Sequence, residues 1–191
     1  MSPGTLVTTP KYLLGSFVPV GEVDMRLLDW MRHAHRDITL ILYGLGGLGK
    51  TKFACAVMHA ICRSKSFHFI NKVDRVRDIL IAADEGLVVD EVCLAGRDID
   101  DVKALLDLEE TRDVTCRNKD GTIPARTPRI LCTNWSWGAL WPRETFNPEH
   151  TDAITRRILW VEIKKDIRRC ASSVRSEEMN LPVAGFGGGL D

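Results

Sequence analysis

Residues 44–51 read Gly-Leu-Gly-Gly-Leu-Gly-Lys-Thr and match G-x-x-x-x-G-K-[ST] at every fixed position. Gly44, Gly46, Gly47 and Gly49, with Leu45 and Leu48 between them, would let backbone N–H groups turn inward around a phosphate chain. Lys50 has the reach for β- and γ-phosphates, and Thr51 offers a hydroxyl to Mg²⁺. Two adjacent acids, Asp90 and Glu91, follow the apolar run Gly-Leu-Val-Val. Beside the loop, Asp90 would hold Mg²⁺ through water, and Glu91 would orient and deprotonate an attacking water. Asn134 ends another apolar run and would donate its amide to the γ-phosphate or to that water. Together these residues point to a nucleoside triphosphate site served by Mg²⁺.

Such chemistry needs strands that end at one edge and a helix that starts there. Residues 38–43 are apolar and rich in β-branched side chains, so they read as a buried strand leading into the loop. After the loop, Phe53, Val57 and Ala60-Ile61 recur at helical spacing. Residues 67–70, 86–92, 128–134 and 158–163 read as further strands. In a parallel sheet, Asp90, Glu91 and Asn134 then share the carboxyl edge with the loop. Helices are expected over residues 21–36, 73–83 and 99–108, with a short one at 152–155 and a loop at 142–150.

Residues 112–126 read as a β-hairpin in which Val114 and Cys116 alternate and the turn is Asn-Lys-Asp-Gly. Residues 112–129 hold five basic residues against two acids, with Arg117 near the tip and Lys119 at it. A projecting basic tip suits phosphate-backbone contact without base readout, although an ordinary solvated turn has the same spacing. Trp135, Trp137 and Trp141 read first as packing aromatics and second as base-stacking groups. His33-Ala-His35 reads as a solvated helix end in preference to a metal pair.

The chain of 191 residues suits one domain with modest extensions, and 45% hydrophobic content supports a core. Residues 1–20, with three prolines and two glycines, read as extended or loosely packed. Residues 21–36 form the N-terminal helix, 37–165 the nucleotide-binding domain, and 166–191 a basic, then glycine-rich, flexible tail. With 26 basic and 26 acidic residues, net charge predicts no polyanion partner, so any nucleic-acid site must come from local clustering. No apolar run approaches membrane length and no signal peptide is visible, which predicts an intracellular protein with no membrane contact. Six cysteines without C-x-x-C spacing read as reduced thiols.

The ordered set formed by residues 44–51, Val-Val-Asp-Glu at 88–91, the Lys119 hairpin, Leu-Cys-Thr-Asn at 131–134 and Arg156-Arg157 before a strand resembles a known family. It is similar to the superfamily 3 helicase domain of AAA+ ATPases, and above all to Rep proteins of circular single-stranded DNA viruses such as circoviruses. The resemblance covers about residues 35–165. It implies an α/β P-loop NTPase with a central, mostly parallel sheet, flanking helices and a projecting β-hairpin. It also implies an ATPase/helicase with ATP and Mg²⁺ as cofactors and single-stranded DNA or RNA as partner. Lys50 and Thr51 become Walker A, Asp90 and Glu91 Walker B, and Asn134 the polar sensor. Lys119, with Arg117, belongs to the DNA-contacting hairpin. Arg157, with Arg156 as fallback, becomes an arginine finger acting on a neighbour's ATP in a homo-oligomeric ring, usually a hexamer. A viral-type Rep role in DNA replication would place the protein in the nucleus. Full-length Rep proteins carry an N-terminal endonuclease that this sequence has no room for, so it is expected to be a fragment, an integrated viral relic or a helicase-only relative, and its Walker A loop lacks proline. The RNA helicase-like branch and a regulatory ATPase without unwinding activity share the same nucleotide motifs.

Overall fold

Apolar strands that must bury both faces need a covered sheet, and this chain builds one. The computed structural model describes residues 4–117 and 119–169. Along them run β1 (Thr5–Val7), β2 (Thr39–Tyr43), β3 (Phe67–Ile70), β4 (Gly86–Val89), β5 (Arg112–Val114), β6 (Gly121–Ile123), β7 (Arg129–Thr133) and β8 (Ile158–Glu162). The helices are α1 (Val20–Val23), α2 (Met25–Asp29), α3 (Lys50–Ile61), α4 (Ile99–Leu106), α5 (Trp137–Leu140) and α6 (Pro148–Thr155). Six strands form one sheet in the order β1-β3-β4-β7-β2-β8, while β5 and β6 pair separately as the hairpin. Every neighbouring pair in the sheet is parallel except β1 with β3.

Strand alternation shows why both faces are covered. Leu40, Leu42, Val88, Ile130 and Cys132 enter one core cluster with Phe53, Val57 and Met58 of α3. Ile41, Leu87, Val89 and Leu131 enter the other, with Val102 and Leu105 of α4 and Ile154 of α6. Successive residues therefore point into opposite helix layers, as a period of two dictates. Capping fixes where the outer helices begin. The Asp98 carboxylate accepts from the Asp100 N–H at 2.8 Å to start α4. The Asn147 amide oxygen accepts from the Glu149 N–H at 3.2 Å, with Pro148 in the first turn, to start α6.

Several local expectations change. The first twenty residues are not loosely packed among those described: β1 adds an antiparallel strand, and Phe17 is 1% exposed against Phe53. Burying that ring contributes about 1.5–3 kcal/mol, which anchors the segment across α3. The helix over 21–36 is broken, because the Asp24 carboxylate caps a new start by accepting the Arg26 N–H. It ends in a π-turn over Trp30–Ala34, with Trp30 Nε1 donating to the Ile38 carbonyl at 2.6 Å. The helix over 73–83 is instead a 3₁₀ turn, Val73–Asp78. Its apolar pair Val73 and Val76 is spaced for the eclipsed i, i+3 geometry of such turns, while Leu80 is 90% exposed. Residues 142–150 are not a plain loop, since a 3₁₀ turn (Arg143–Phe146) and the start of α6 occupy them. Hairpin pairing stops at Val114 opposite Gly121, so Cys116 leaves the ladder and packs toward the Val73 carbonyl. Trp137 lies in a short helix, packed on Trp141 and Trp160. The Gly-rich part of the tail, from residue 170, lies outside the described residues.

Gly121 locks the hairpin base onto the 3₁₀ turn. A Cβ there would lie 2.5 Å from the Arg77 nitrogen and 2.6 Å from the Val76 carbonyl carbon, both backbone atoms. Gly121→Ala is therefore expected to destabilise the protein by about 1–3 kcal/mol. Gly96→Ala, where a Cβ meets nothing within 4 Å, should leave urea unfolding unchanged. Equal midpoints for the two variants would contradict this packing.

Candidate nucleotide-binding site

Strand order decides what surrounds the loop. β7 lies between β2 and β4, so the ends of β2 and β4 stand about 10 Å apart with Asn134 between them. The loop leaves β2 at Gly44, whose φ of 154° and position tolerate no side chain. A Cβ there would come within 2.4 Å of the Ile163 carbonyl oxygen. The loop re-enters helix at Gly49, left-handed with φ 90°, and no side chain caps α3. The first N–H groups of α3 are therefore left for an anion.

Eight of the expected residues meet here, Gly46 and Gly47 of the loop among them. Gly49, Lys50, Thr51, Asp90, Glu91 and Asn134 all line one cavity of about 270 Å³. Lys50 is 6% exposed, and its Nζ donates to the carbonyls of Gly44 and Leu45 at 2.7 Å each and to Asn134 Oδ1 at 2.8 Å. Burial pushes its pKa below the ordinary lysine value, with Cys132 and Asp90 acting the other way. A desolvated ammonium of this kind gains strongly from an incoming phosphate. Thr51 Oγ1 donates to Asp90 Oδ1 at 2.8 Å. These two oxygens are hard donors side by side at the phosphate cradle, a set that fits Mg²⁺ completed by phosphate and water.

Glu91 is held differently. The Asp90 N–H donates to Ile70 of β3 and the Val92 N–H to Cys132 of β7, so the chain crosses from one neighbour to the other. Glu91 sits at that crossing with φ 52°, a conformation rare outside glycine, and its side chain is exposed. Thr133 fixes the sensor strand's end, donating Oγ1 to the Val92 carbonyl at 2.8 Å and accepting the Trp135 N–H at 3.0 Å.

One further residue reaches the loop. Arg168 Nη2 donates to the Gly47 carbonyl at 3.0 Å, and the chain at Arg168 bridges to Phe17. Asp166 holds the same guanidinium, which keeps the Asp166 carboxyl down at about 2. In the sequence Arg168 is one of several basic residues after the last strand, and no local spacing sets it apart. The pairing of residue 168 with residue 17 is a long-range event.

Arg156 and Arg157 stand elsewhere. They precede β8, and the Thr39 N–H donates to the Arg157 carbonyl at the amino edge of the sheet. About 16 Å of strand separates them from the loop of the same chain. Arg157 donates Nη1 to the Ala153 carbonyl at 2.6 Å, while Arg156 is exposed. Arg117 and Lys119 are exposed on the hairpin loop. His33 is exposed, whereas His35 is half-buried edge-on against Trp30, and burial holds its pKa below the usual range. Among the described residues no group of His, Cys, Asp and Glu forms a metal cluster. Burial pushes the thiols of Cys55 and Cys62 up to about 12. No helix among those residues is long and apolar enough to cross a membrane.

A glycine loop between β2 and α3, with the carboxylate strand one place removed across a sensor strand, decides the architecture. The fold is that of a P-loop NTPase. No family model and no curated protein matches the chain. Among solved structures, NtrX from Brucella abortus in complex with ADP is similar at 15% identity and TM-score 0.47, over 77% of this chain and 37% of that one. Inhibitor-bound JCV helicase is similar at 15% identity and TM-score 0.43, over 85% and 44%. A chain of the E. coli MS115-1 HORMA:CdnC:Trip13 complex follows at 14% and 0.39, over 98% and 76%. The chain thus spans less than half the length of the NtrX and JCV helicase chains. The fold assignment rests on the strand order and the loop described above.

Proposed function

We propose that this chain is an ATP-hydrolysing motor of superfamily 3 type that translocates on single-stranded DNA, in Rep-like viral replication. The reading is carried by one observation: Lys50, Thr51, Asp90, Glu91 and Asn134 line a single cavity. In this reading the α3 N-terminus and Lys50 bind the triphosphate, and Lys50 exchanges its carbonyl and Asn134 partners for phosphate oxygens. Thr51 and Asp90 would hold Mg²⁺, which supplies neutralisation of the charge developing on the phosphates. Glu91 takes a proton from the attacking water, and Asn134, freed from Lys50, orients it. Arg157 faces away from its own loop and completes the site of a neighbouring subunit in a ring. The exposed Arg117 and Lys119 contact the phosphate backbone of the strand being moved.

The test measures Mg²⁺-dependent ATP turnover and duplex unwinding with single-stranded DNA and, separately, single-stranded RNA. Turnover stimulated by DNA above RNA, with strand displacement, is the expected result. Lys119→Ala should keep basal turnover and weaken DNA binding. Stimulation by RNA alone would move the substrate to RNA. Turnover without displacement, on either strand, would leave a regulatory ATPase.

A further inference from the structure

Two consecutive carbonyls of the glycine loop are held from the same side. The Gly47 carbonyl accepts from Arg168 Nη2 at 3.0 Å, and the Leu48 carbonyl accepts from the Ile167 N–H at 3.3 Å. A trans peptide unit is planar, so each N–H points opposite to the carbonyl that precedes it. The N–H groups of Leu48 and Gly49 therefore point away from residues 167 and 168. Neither has a hydrogen-bond partner among the described residues. The segment that holds the carbonyls is well anchored. Ile167 is 2% exposed in the core cluster against which Leu48 packs. Its carbonyl accepts the Val18 N–H at 2.9 Å, and the Arg169 N–H donates to the Ser16 carbonyl at 3.0 Å. The Arg168 stem lies over the loop, 3.2 Å from where a Cβ on Gly49 would stand. Asp166 grips its guanidinium, accepting from Nε at 2.8 and 3.1 Å and also from Nη2.

We infer that Arg168, gripped by Asp166, is a positioning residue that keeps the Leu48 and Gly49 N–H groups turned toward an incoming phosphate, an inference that rests on the nucleotide-site reading. Gly47 and Gly49 sit at φ of 84° and 90°, a backbone that glycine adopts freely and leaves just as freely. Without an outside hold on their carbonyls, these peptide units would have to be ordered by the nucleotide itself, at a cost to affinity. With the hold in place, the donors are set before the anion arrives. Arg168 also lines the nucleotide cavity, so a direct pull of its charge on phosphate is the competing role. The two roles differ in sign once Asp166 loses its charge. A direct pull would strengthen, because the neutralising carboxylate is gone. The positioning role would weaken, because the fork that aims Nη2 at the Gly47 carbonyl is released.

Asp166→Asn and Arg168→Ala in the full chain test this, by titration with a fluorescent ATP analogue and by steady-state ATP turnover. Both variants should raise Kd and KM by about three- to tenfold. Turnover at saturating ATP should stay within about twofold of wild type, because the cradle holds ground state and transition state alike. Both side chains are exposed, so urea midpoints without nucleotide should match wild type. Asp166→Asn keeps the side chain's shape and stays informative even where Arg168→Ala loosens the segment. Tighter binding in Asp166→Asn would assign Arg168 to direct attraction of phosphate and overturn the positioning role. Wild-type Kd and KM in a folded Arg168→Ala protein would overturn it as well and leave the nucleotide site standing. A wild-type protein that binds no ATP analogue would overturn the site reading and this inference with it.

Discussion

Replacing Lys50 with alanine is expected to lower ATP turnover by about 10²–10³, the usual effect of removing one preorganised charge donor from a transition state. The protein should still fold. Two of the three acceptors of Lys50, Gly44 and Leu45, lie on the loop and the third, Asn134, at the end of β7 lining the cavity, so water that enters the cavity replaces the amine. Lys50 is nevertheless the one buried charged side chain among those lining this cavity, and desolvation weakens its ammonium form. A site that bears that cost gains it back when a polyanion enters. Thermal unfolding of Lys50→Ala should thus match wild type in the absence of nucleotide, and ATP should no longer raise its Tm. Turnover within twofold of wild type would sink the assignment of Lys50 to phosphate.

Arg157→Ala is expected to reduce turnover of the assembled protein by about 10³–10⁵, the range known for arginine fingers. Nucleotide affinity should be unchanged, since Arg157 stands at the opposite sheet edge from its own loop. The structural cost is small by comparison. Losing the hydrogen bond from Nη1 to Ala153 removes about 0.5–1.5 kcal/mol, too little to unfold a domain of this size. Arg156→Ala provides the contrast, because the Arg156 side chain is exposed and only its backbone N–H bonds to α6, at the Asp152 carbonyl. Titration with a fluorescent ATP analogue, beside steady-state turnover, separates binding from hydrolysis. Full turnover in Arg157→Ala with loss in Arg156→Ala would pass the finger to the neighbouring arginine.

How much of this was legible in the sequence depends on the range of the interaction. The loop, its flanking strand and helix, and the acids at 90 and 91 are local patterns, and each stands where its pattern places it. Burial of both sheet faces made the central strands continuous apolar runs, which is why they read clearly. Local periodicity failed where two apolar residues served a different geometry. Val73 and Val76 fit a 3₁₀ turn as well as a helix, and Asp24 made a cap inside an otherwise helical pattern. Arg168 was not legible at all. It gains its meaning from partners far along the chain, Gly47 and Phe17.

The central claim is that each nucleotide site is completed by another subunit, and mixing two inactive variants tests it most directly. Lys50→Ala carries an intact Arg157 beside a dead loop, and Arg157→Ala carries an intact loop without the finger. Each alone should be inactive, while mixed assemblies place an intact loop against an intact Arg157 and recover ATP turnover. Recovery that peaks near equal amounts of the two chains is the predicted result. No recovery at any ratio, with mixed assemblies demonstrated by mass, would contradict a shared site.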